Sequence, residues 1–158
     1  ARAASLAHEF GVERVTVINS EGARGMRLLR ELAKTFPPGC LEILERTLPY
    51  PDYMKLLSSH RFVYQMDRST VPGQVAGDCL LARTLCAGGS STIEKMAFPE
   101  FSDDGTIRMK NVFERIEHIL HDDEEYIAAI QKSQKIAEKS LSFESAARQL
   151  GAWNIVTD

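Results

Sequence analysis

The stretch "RFVYQMDRSTVPGQVAGDCLLARTLCAGGSS", residues 61 to 91, contains two strand-like runs separated by a helix-forming segment. The first run, RFVYQMD at 61–67, is rich in β-branched and aromatic residues and predicts a buried strand. Pro72 suits the first turn of the helix that follows. The second run, CAGGSS at 86–91, predicts a short strand that leads into a loop. The stretch therefore predicts a strand, a helix and a second strand in succession.

Helices and strands alternate elsewhere in the chain as well. RVTVIN at 14–19 and LEILERTL at 41–48 predict two further strands, and MRLLRELAKTF at 26–36 has the apolar spacing of a helix. A fifth strand is predicted in TIRM at 106–109, and the remainder of the chain is mostly helical. Strands that alternate with helices favour βαβ units. We therefore predict an α/β fold, a Rossmann-like parallel sheet flanked by helices with a helical C-terminal tail, in a single domain over residues 1–158.

Composition narrows the function classes. A net charge of -3 supplies no broad basic surface, which argues against a nucleic-acid partner. No run approaches the roughly 18 apolar residues of a membrane span, and no segment resembles a secretion signal. The three cysteines include no CxxC pair, so they fit a reducing compartment. We therefore expect a cytoplasmic protein with no membrane span.

Cys79 and Cys86 are expected to be core thiols. If they share one helix, seven residues separate them by about 10 Å. That distance is too long for a disulfide.

Ligands of such sheets bind at the carboxyl ends of the strands. The loops at these ends are predicted at 19–25, 48–52, 67–74 and 87–92. Loop 67–74 has the sequence DRSTVPGQ and carries the most polar chemistry. Ser69 or Thr70 can cap the following helix, and Gly73 beside Gln74 leaves backbone amides open to close approach. Those amides and the positive end of the helix dipole suit a phosphate.

Asp78 lies on the apolar flank of the predicted helix. At about 100° per residue it falls between Leu85 and Ala82, and its side chain leans back toward the loop. A buried carboxylate needs hydrogen-bond donors. One interpretation is that sugar hydroxyls of a ligand supply them. The other is structural, in which Asp78 accepts hydrogen bonds from loop amides or pairs with one of three arginines, Arg24, Arg68 or Arg83.

The order of these segments resembles the C-terminal, donor-binding domain of the GT-B glycosyltransferases, from Val15 to about Trp153. In that family a basic residue and a glycine follow the loop after the first strand, as Arg24 and Gly25 do here. The resemblance implies that Arg24 meets the donor's pyrophosphate. It also implies that the nucleotide base passes Pro49 and Tyr50.

The best-known motif of the family is Glu, seven residues, Glu, followed by a helix of small residues. Asp78 occupies the second acidic position and Thr70 stands at the first. The donor-binding residues that the resemblance and the loop together indicate are Arg24, Gly25, Pro49, Tyr50, Arg68, Thr70, Gly73, Gln74 and Asp78. The catalytic base is not among them, because in the family it belongs to the N-terminal domain.

The resemblance implies transfer of a sugar from a nucleotide-sugar, the donor substrate, to an acceptor without a cofactor or bound metal. It also implies that this domain is half of a two-domain enzyme, that a preceding domain binds the acceptor, and that the domain alone is inactive. The alternative is a non-catalytic nucleotide-binding or regulatory module, which Thr70 in place of the first Glu favours. His118 and His121, which precede "DDEE", are interpreted as a solvated helix end rather than a metal site.

Overall fold

The computed structural model describes residues 2–9, 11–65, 73–103 and 109–152. The strands are β1 (Val15–Ile18), β2 (Leu41–Leu44), β3 (Phe62–Tyr64) and β4 (Leu85–Ala87). The helices are α1 (Arg2–Glu9), α2 (Gly22–Ala33), α3 (Tyr50–Ser58), α4 (Gln74–Ala82), α5 (Thr92–Ala97), α6 (Met109–His121), α7 (Asp123–Leu141) and α8 (Phe143–Ala152). The mixed α/β class and the helical C-terminal tail that the sequence predicts are therefore confirmed.

The chain divides into two compact units, Ala1–Asp52 and Tyr53–Asp158. In the first unit β1 and β2 are parallel, with Val15 opposite Leu41 and Ile18 opposite Leu44. Among the described residues, the small core of this unit includes the buried side chains of Ala4, Ala7, Phe36 and Cys40.

The second unit contains the stretch at 61–91. Its strands β3 and β4 are parallel, with Phe62 opposite Leu85 and Tyr64 opposite Ala87. Helix α4 lies between them in sequence, and its buried face joins a core with β4 and the helices that follow. The largest side chains that are almost fully buried there include Phe98, Leu85 and Ile119.

Each of the first four predicted strands is present but shorter than predicted. Within the described residues they pair as two parallel sheets of two strands each, β1 with β2 and β3 with β4. For the predicted fifth strand, residues 106–108 lie outside the described residues and Met109 begins α6. Cys86 belongs to β4, so the assumption that it shares a helix with Cys79 is wrong: α4 ends at Ala82 and Arg83 adopts a left-handed conformation that turns the chain.

The C-terminal helices are amphipathic and pack through one face. Val112, Ile116 and Ile119 of α6 are buried at helical spacing, and Ala129 of α7 joins the same core. Among the described helices, none combines the length and hydropathy that crossing a bilayer requires.

An ion-pair network ties α6 and α7 to the segment after α5. Glu100 accepts a hydrogen bond from Arg115 Nε at 3.1 Å and another from Lys132 Nζ. Arg115 also donates from Nη1 to Glu125. The hydrogen bond from Lys132, followed by that from Arg115, lowers the pKa of Glu100 from its usual value near 4.5.

We expect Glu100→Gln to lower the free energy of unfolding at pH 7 by about 0.5–1 kcal/mol, a modest loss because these charges are partly in solvent. Since the pKa is lower in the folded state, the stabilisation is complete above the unfolded value and is lost as the pH falls through the folded value. Urea unfolding of both proteins between pH 7 and about pH 3 measures this. Glu117→Gln, at an exposed position of α6, is the control. A difference that persists undiminished in acid contradicts the prediction.

Candidate functional site

The candidate site is the carboxyl edge of β3 and β4. Because these strands are parallel and α4 connects them, the N-terminus of α4 and the loop after β4 lie at the same edge. A close approach confirms this juxtaposition: a Cβ on Gly73 would lie 2.0 Å from Ser91 Oγ. The predicted ligand loops at 67–74 and 87–92 therefore contact each other through Gly73 and Ser91.

Gly73 is the N-cap of α4. Its φ of 94° and ψ of 62° are left-handed, and glycine itself brings no side chain to cap this helix end. Both the backbone conformation and the contact with Ser91 require glycine here. The amides of the first helical turn have no acceptor within the helix itself. Gln74, the first residue of α4, is exposed at this end.

Asp78 is buried, with 7% of its surface exposed, which confirms its predicted position on the buried flank of α4. It lies one turn after Gln74, so its side chain leans toward the N-terminus of the helix. Arg68 and Thr70, the other predicted donor-binding residues of this loop, lie outside the described residues.

Glu94 is a buried carboxylate that our interpretation of the sequence missed. Its Oε2 accepts a hydrogen bond from the backbone N–H of Ser91 at 2.7 Å, and Ser91 Oγ accepts one from Glu94 N at 3.3 Å. Together they form a capping box at the start of α5. The signal was present in the sequence as Ser91-Thr92-Ile93-Glu94, the spacing that a capping box requires.

Gly88 and Gly89, which follow β4, allow the chain to pass close to the Glu94 carboxylate. Gly88 has a φ of 90°, and a Cβ there would lie 2.6 Å from the carbonyl oxygen of Gln65. Gly89 packs directly on Glu94: a Cβ at this position would lie 2.0–2.3 Å from its carboxylate atoms. Asp103, which is also buried, donates its backbone N–H to the Gly89 carbonyl at 2.8 Å. Close contacts with Gln65 and Glu94 and the hydrogen bond from Asp103 therefore fix the loop after β4.

Gln65 follows β3 at the same edge. Its backbone N–H donates to the Ala87 carbonyl at 2.8 Å, which extends the pairing of the two strands by one residue. Its side-chain Oε1 is buried and accepts no hydrogen bond within the described part of the chain. Buried polar atoms are almost always satisfied, so this oxygen marks a position where a donor fits.

A short chain of polar contacts leads from Glu94 into the core. Cys86 Sγ donates to Glu94 Oε1 at 3.7 Å. The hydrogen bond with Cys79, burial and the nearby Glu94 carboxylate raise the pKa of the Cys86 thiol well above its usual value near 9.0. Both cysteines are fully buried, as the sequence predicts for core thiols.

The remaining predicted donor-binding residues belong to the first unit. Arg24 is exposed on the first turn of α2, and Gly25 beside it is buried. Pro49 and Tyr50 are exposed at the start of α3. The prediction that these residues contact a nucleotide donor stays a prediction.

Asn19 organises the loop between β1 and α2. Its Oδ1 accepts a hydrogen bond from Glu21 N at 3.1 Å, and its Nδ2 donates to the Gly22 carbonyl at 2.9 Å. A Cβ on Gly25 would lie 2.1 Å from this Oδ1. Gly25 is therefore required by the packing of Asn19, in addition to any contact with a ligand.

His118, Asp122 and Glu125 have ligand atoms within 4.8 Å of one another. Two of these groups already have other partners: Asp122 Oδ1 caps α7 by accepting from Glu125 N at 2.9 Å, and Glu125 pairs with Arg115 at 2.5 Å and with His118 at 3.3 Å. Arg115 supplies the positive charge that a metal ion would bring. We interpret the group as an ion-paired helix end.

No family model, curated protein or solved structure significantly matches this chain.

Proposed function

We propose that the chain is the Rossmann-like, donor-binding half of a GT-B glycosyltransferase. The observation that carries the proposal is the buried carboxylate of Asp78, one turn into a helix that begins at Gly73 on the carboxyl edge of β3 and β4. This combination offers amides for a phosphate and an acceptor for hydroxyls within one short segment.

The proposed roles follow from the chemistry of each group. The first-turn amides of α4, at Gly73 and Gln74, bind an oxygen of the donor diphosphate. Asp78 accepts hydrogen bonds from the ribose hydroxyls, which are neutral donors that suit a buried carboxylate. In the first unit, Arg24 is the residue to which the resemblance assigns a phosphate contact, since a guanidinium binds two phosphate oxygens at once.

In the proposed reaction a sugar passes from the nucleotide to an acceptor hydroxyl, and the diphosphate leaves with the negative charge. Helix amides stabilise that charge as it develops. No metal ion or cofactor is needed for this step. The catalytic base and most of the acceptor site belong to a preceding domain in this proposal.

A second candidate is a nucleotide-binding module without transferase activity. Thr70 at the position of the family's first Glu favours it, because a hydroxyl does not replace a carboxylate beside the donor sugar. The two candidates differ in one measurable respect. A donor-binding half binds a nucleotide-sugar more tightly than the matching nucleoside diphosphate, whereas a nucleotide module binds both equally.

Calorimetry with common nucleoside diphosphates and their sugar derivatives tests the proposal. We expect binding of the diphosphates to exceed that of the nucleosides, and Asp78→Asn to weaken it by about 5- to 150-fold, or about 1–3 kcal/mol. Glu117→Gln is the control for loss of a carboxylate at an exposed position.

Two outcomes contradict the proposal. One is the absence of binding with every diphosphate at millimolar concentration. The other is unchanged binding by Asp78→Asn together with a large fall in its melting temperature, which assigns the carboxylate a structural role.

A further inference from the structure

Cys79 and Cys86 reach the same point of the core from two different elements. Cys79 is on α4 and Cys86 is on β4, and the left-handed Arg83 reverses the chain between them. Both side chains are 0% exposed. Their thiols are hydrogen-bonded to each other, so the sulfur atoms are in direct contact.

The pair has a polar neighbour. Cys86 Sγ donates to Glu94 Oε1 at 3.7 Å, and the same carboxylate accepts the Ser91 N–H. A thiol pair beside a carboxylate has both the second sulfur that a disulfide requires and a group that accepts the thiol proton. Cys40, by contrast, lies in the first unit and donates to the Val12 carbonyl at 3.2 Å.

We propose that Cys79 and Cys86 are an oxidation site, at which a peroxide converts the two thiols to a disulfide that joins α4 to β4. This inference is independent of the proposed transferase function. It needs no rearrangement of the core beyond an approach of two sulfur atoms that already touch.

The chemistry is balanced with hydrogen peroxide as the oxidant. The Cys86 thiol gives its proton to Glu94, its sulfur attacks one peroxide oxygen, and the O–O bond breaks to leave a sulfenic acid and one water. The Cys79 sulfur then attacks the sulfenic sulfur, and a second water leaves as the S–S bond forms. Two thiols lose two electrons in total, and peroxide accepts them.

Burial sets the pace of the reaction. The thiolate is the attacking species, and the pKa of Cys86 is well above the usual range, so the thiolate fraction at pH 7 is small. Oxidation is therefore slow, and its rate rises about tenfold per pH unit below that pKa. Formation of the disulfide also removes the S–H donor from Glu94, so the capping box at the edge of the sheet changes with the redox state.

The test is oxidation of the reduced chain with hydrogen peroxide, followed by denaturation, alkylation with N-ethylmaleimide and mass spectrometry. The sequence contains three cysteines, so the reduced protein takes three alkyl groups. We expect the oxidised protein to take one, at Cys40, with a loss of about 2 Da and a linked peptide that contains Cys79 and Cys86. Dithiothreitol is expected to restore three.

Cys79→Ser and Cys86→Ser are the controls, and each is expected to keep both remaining thiols free of a disulfide. Peptide mapping of the unmodified sequence decides the matter even where a variant folds poorly. The inference is overturned if the chain keeps three alkylation sites after prolonged oxidation at high pH. It is equally overturned if the disulfide includes Cys40, or if sulfinic acid accumulates at a single cysteine without a crosslink.

Discussion

Gly73→Ala is expected to lower the free energy of unfolding of the second unit by about 3 kcal/mol. A left-handed conformation costs a non-glycine residue about 1–2 kcal/mol. The new Cβ would also lie 2.0 Å from Ser91 Oγ and 2.8 Å from Ser91 Cβ, so one of the two segments must move. Overpacking of this kind costs about 1–3 kcal/mol. Thermal unfolding measures the loss, which corresponds to about 10 °C or more in a unit of this size.

Gly77→Ala is the matched control in the same helix. Within the part of the chain that the structure describes, a Cβ at this position meets Ile93 Cδ1 alone, at an ordinary 3.8 Å. Alanine in place of a helical glycine stabilises by about 0.5–1 kcal/mol. Opposite signs for the two substitutions support the close approach of α4 to the loop after β4. Equal effects contradict it.

Glu94→Ala is expected to lower the free energy of unfolding by about 3 kcal/mol, as much as Gly73→Ala. It leaves the Ser91 N–H without its acceptor, which costs about 1–3 kcal/mol for a buried donor, and it opens a cavity beside Gly89. Glu94→Gln keeps the shape and one acceptor oxygen, so it is expected to cost about 1 kcal/mol. Urea unfolding of the three proteins gives the comparison.

A double-mutant cycle isolates the contact between Gly89 and Glu94. Gly89→Ala alone is destabilising, because its Cβ falls 2.0–2.3 Å from the Glu94 carboxylate. In the Glu94→Ala background that Cβ enters the vacated space. We therefore expect the double variant to cost at least about 1 kcal/mol less than the sum of the single variants. Additive effects would show that the two residues do not touch in solution.

The sequence predicted what depends on local pattern. The strands β1 to β4 are short runs of β-branched and apolar residues between turn residues, and each is found within or next to its predicted run. Asp78 was assigned to the buried flank of α4 from helical periodicity alone, and it is buried. Both properties follow from side chains close together in the chain.

Contacts between distant segments were not predictable in this way. The pairing of β3 with β4 separately from β1 with β2 depends on tertiary packing rather than on either strand's composition. The apolar face of the helix that carries Asp78 continues in sequence through Leu85 and Cys86, so periodicity alone does not mark where the helix ends. The chain instead turns at Arg83, which takes a left-handed conformation that is rare for a residue with a side chain.

In the candidate site, too, residues that a local pattern marks were predictable, and contacts between distant segments were not. Asp78 was found from periodicity, and Gly73 from the close approach that glycine allows. The predicted cap was Ser69 or Thr70, whereas the N-cap of α4 is Gly73. Glu94 was not singled out in the sequence analysis, although a Glu three residues after Ser is a known helix-start signal. The contact of Gly73 with Ser91 joins residues 18 positions apart, and no short pattern encodes it.

Asn19 packs so closely over Gly25 that a glycine retained at position 25 in related sequences would not by itself indicate ligand binding. An invariant glycine next to an invariant basic residue is normally taken as a sign of phosphate recognition. Here Gly25 would persist through evolution even in descendants that had lost their ligand, because any larger residue displaces Asn19. Arg24 has no such packing constraint on its exposed side chain. Selection for binding would therefore be visible in the retention of the arginine, and the glycine would record only the survival of the loop.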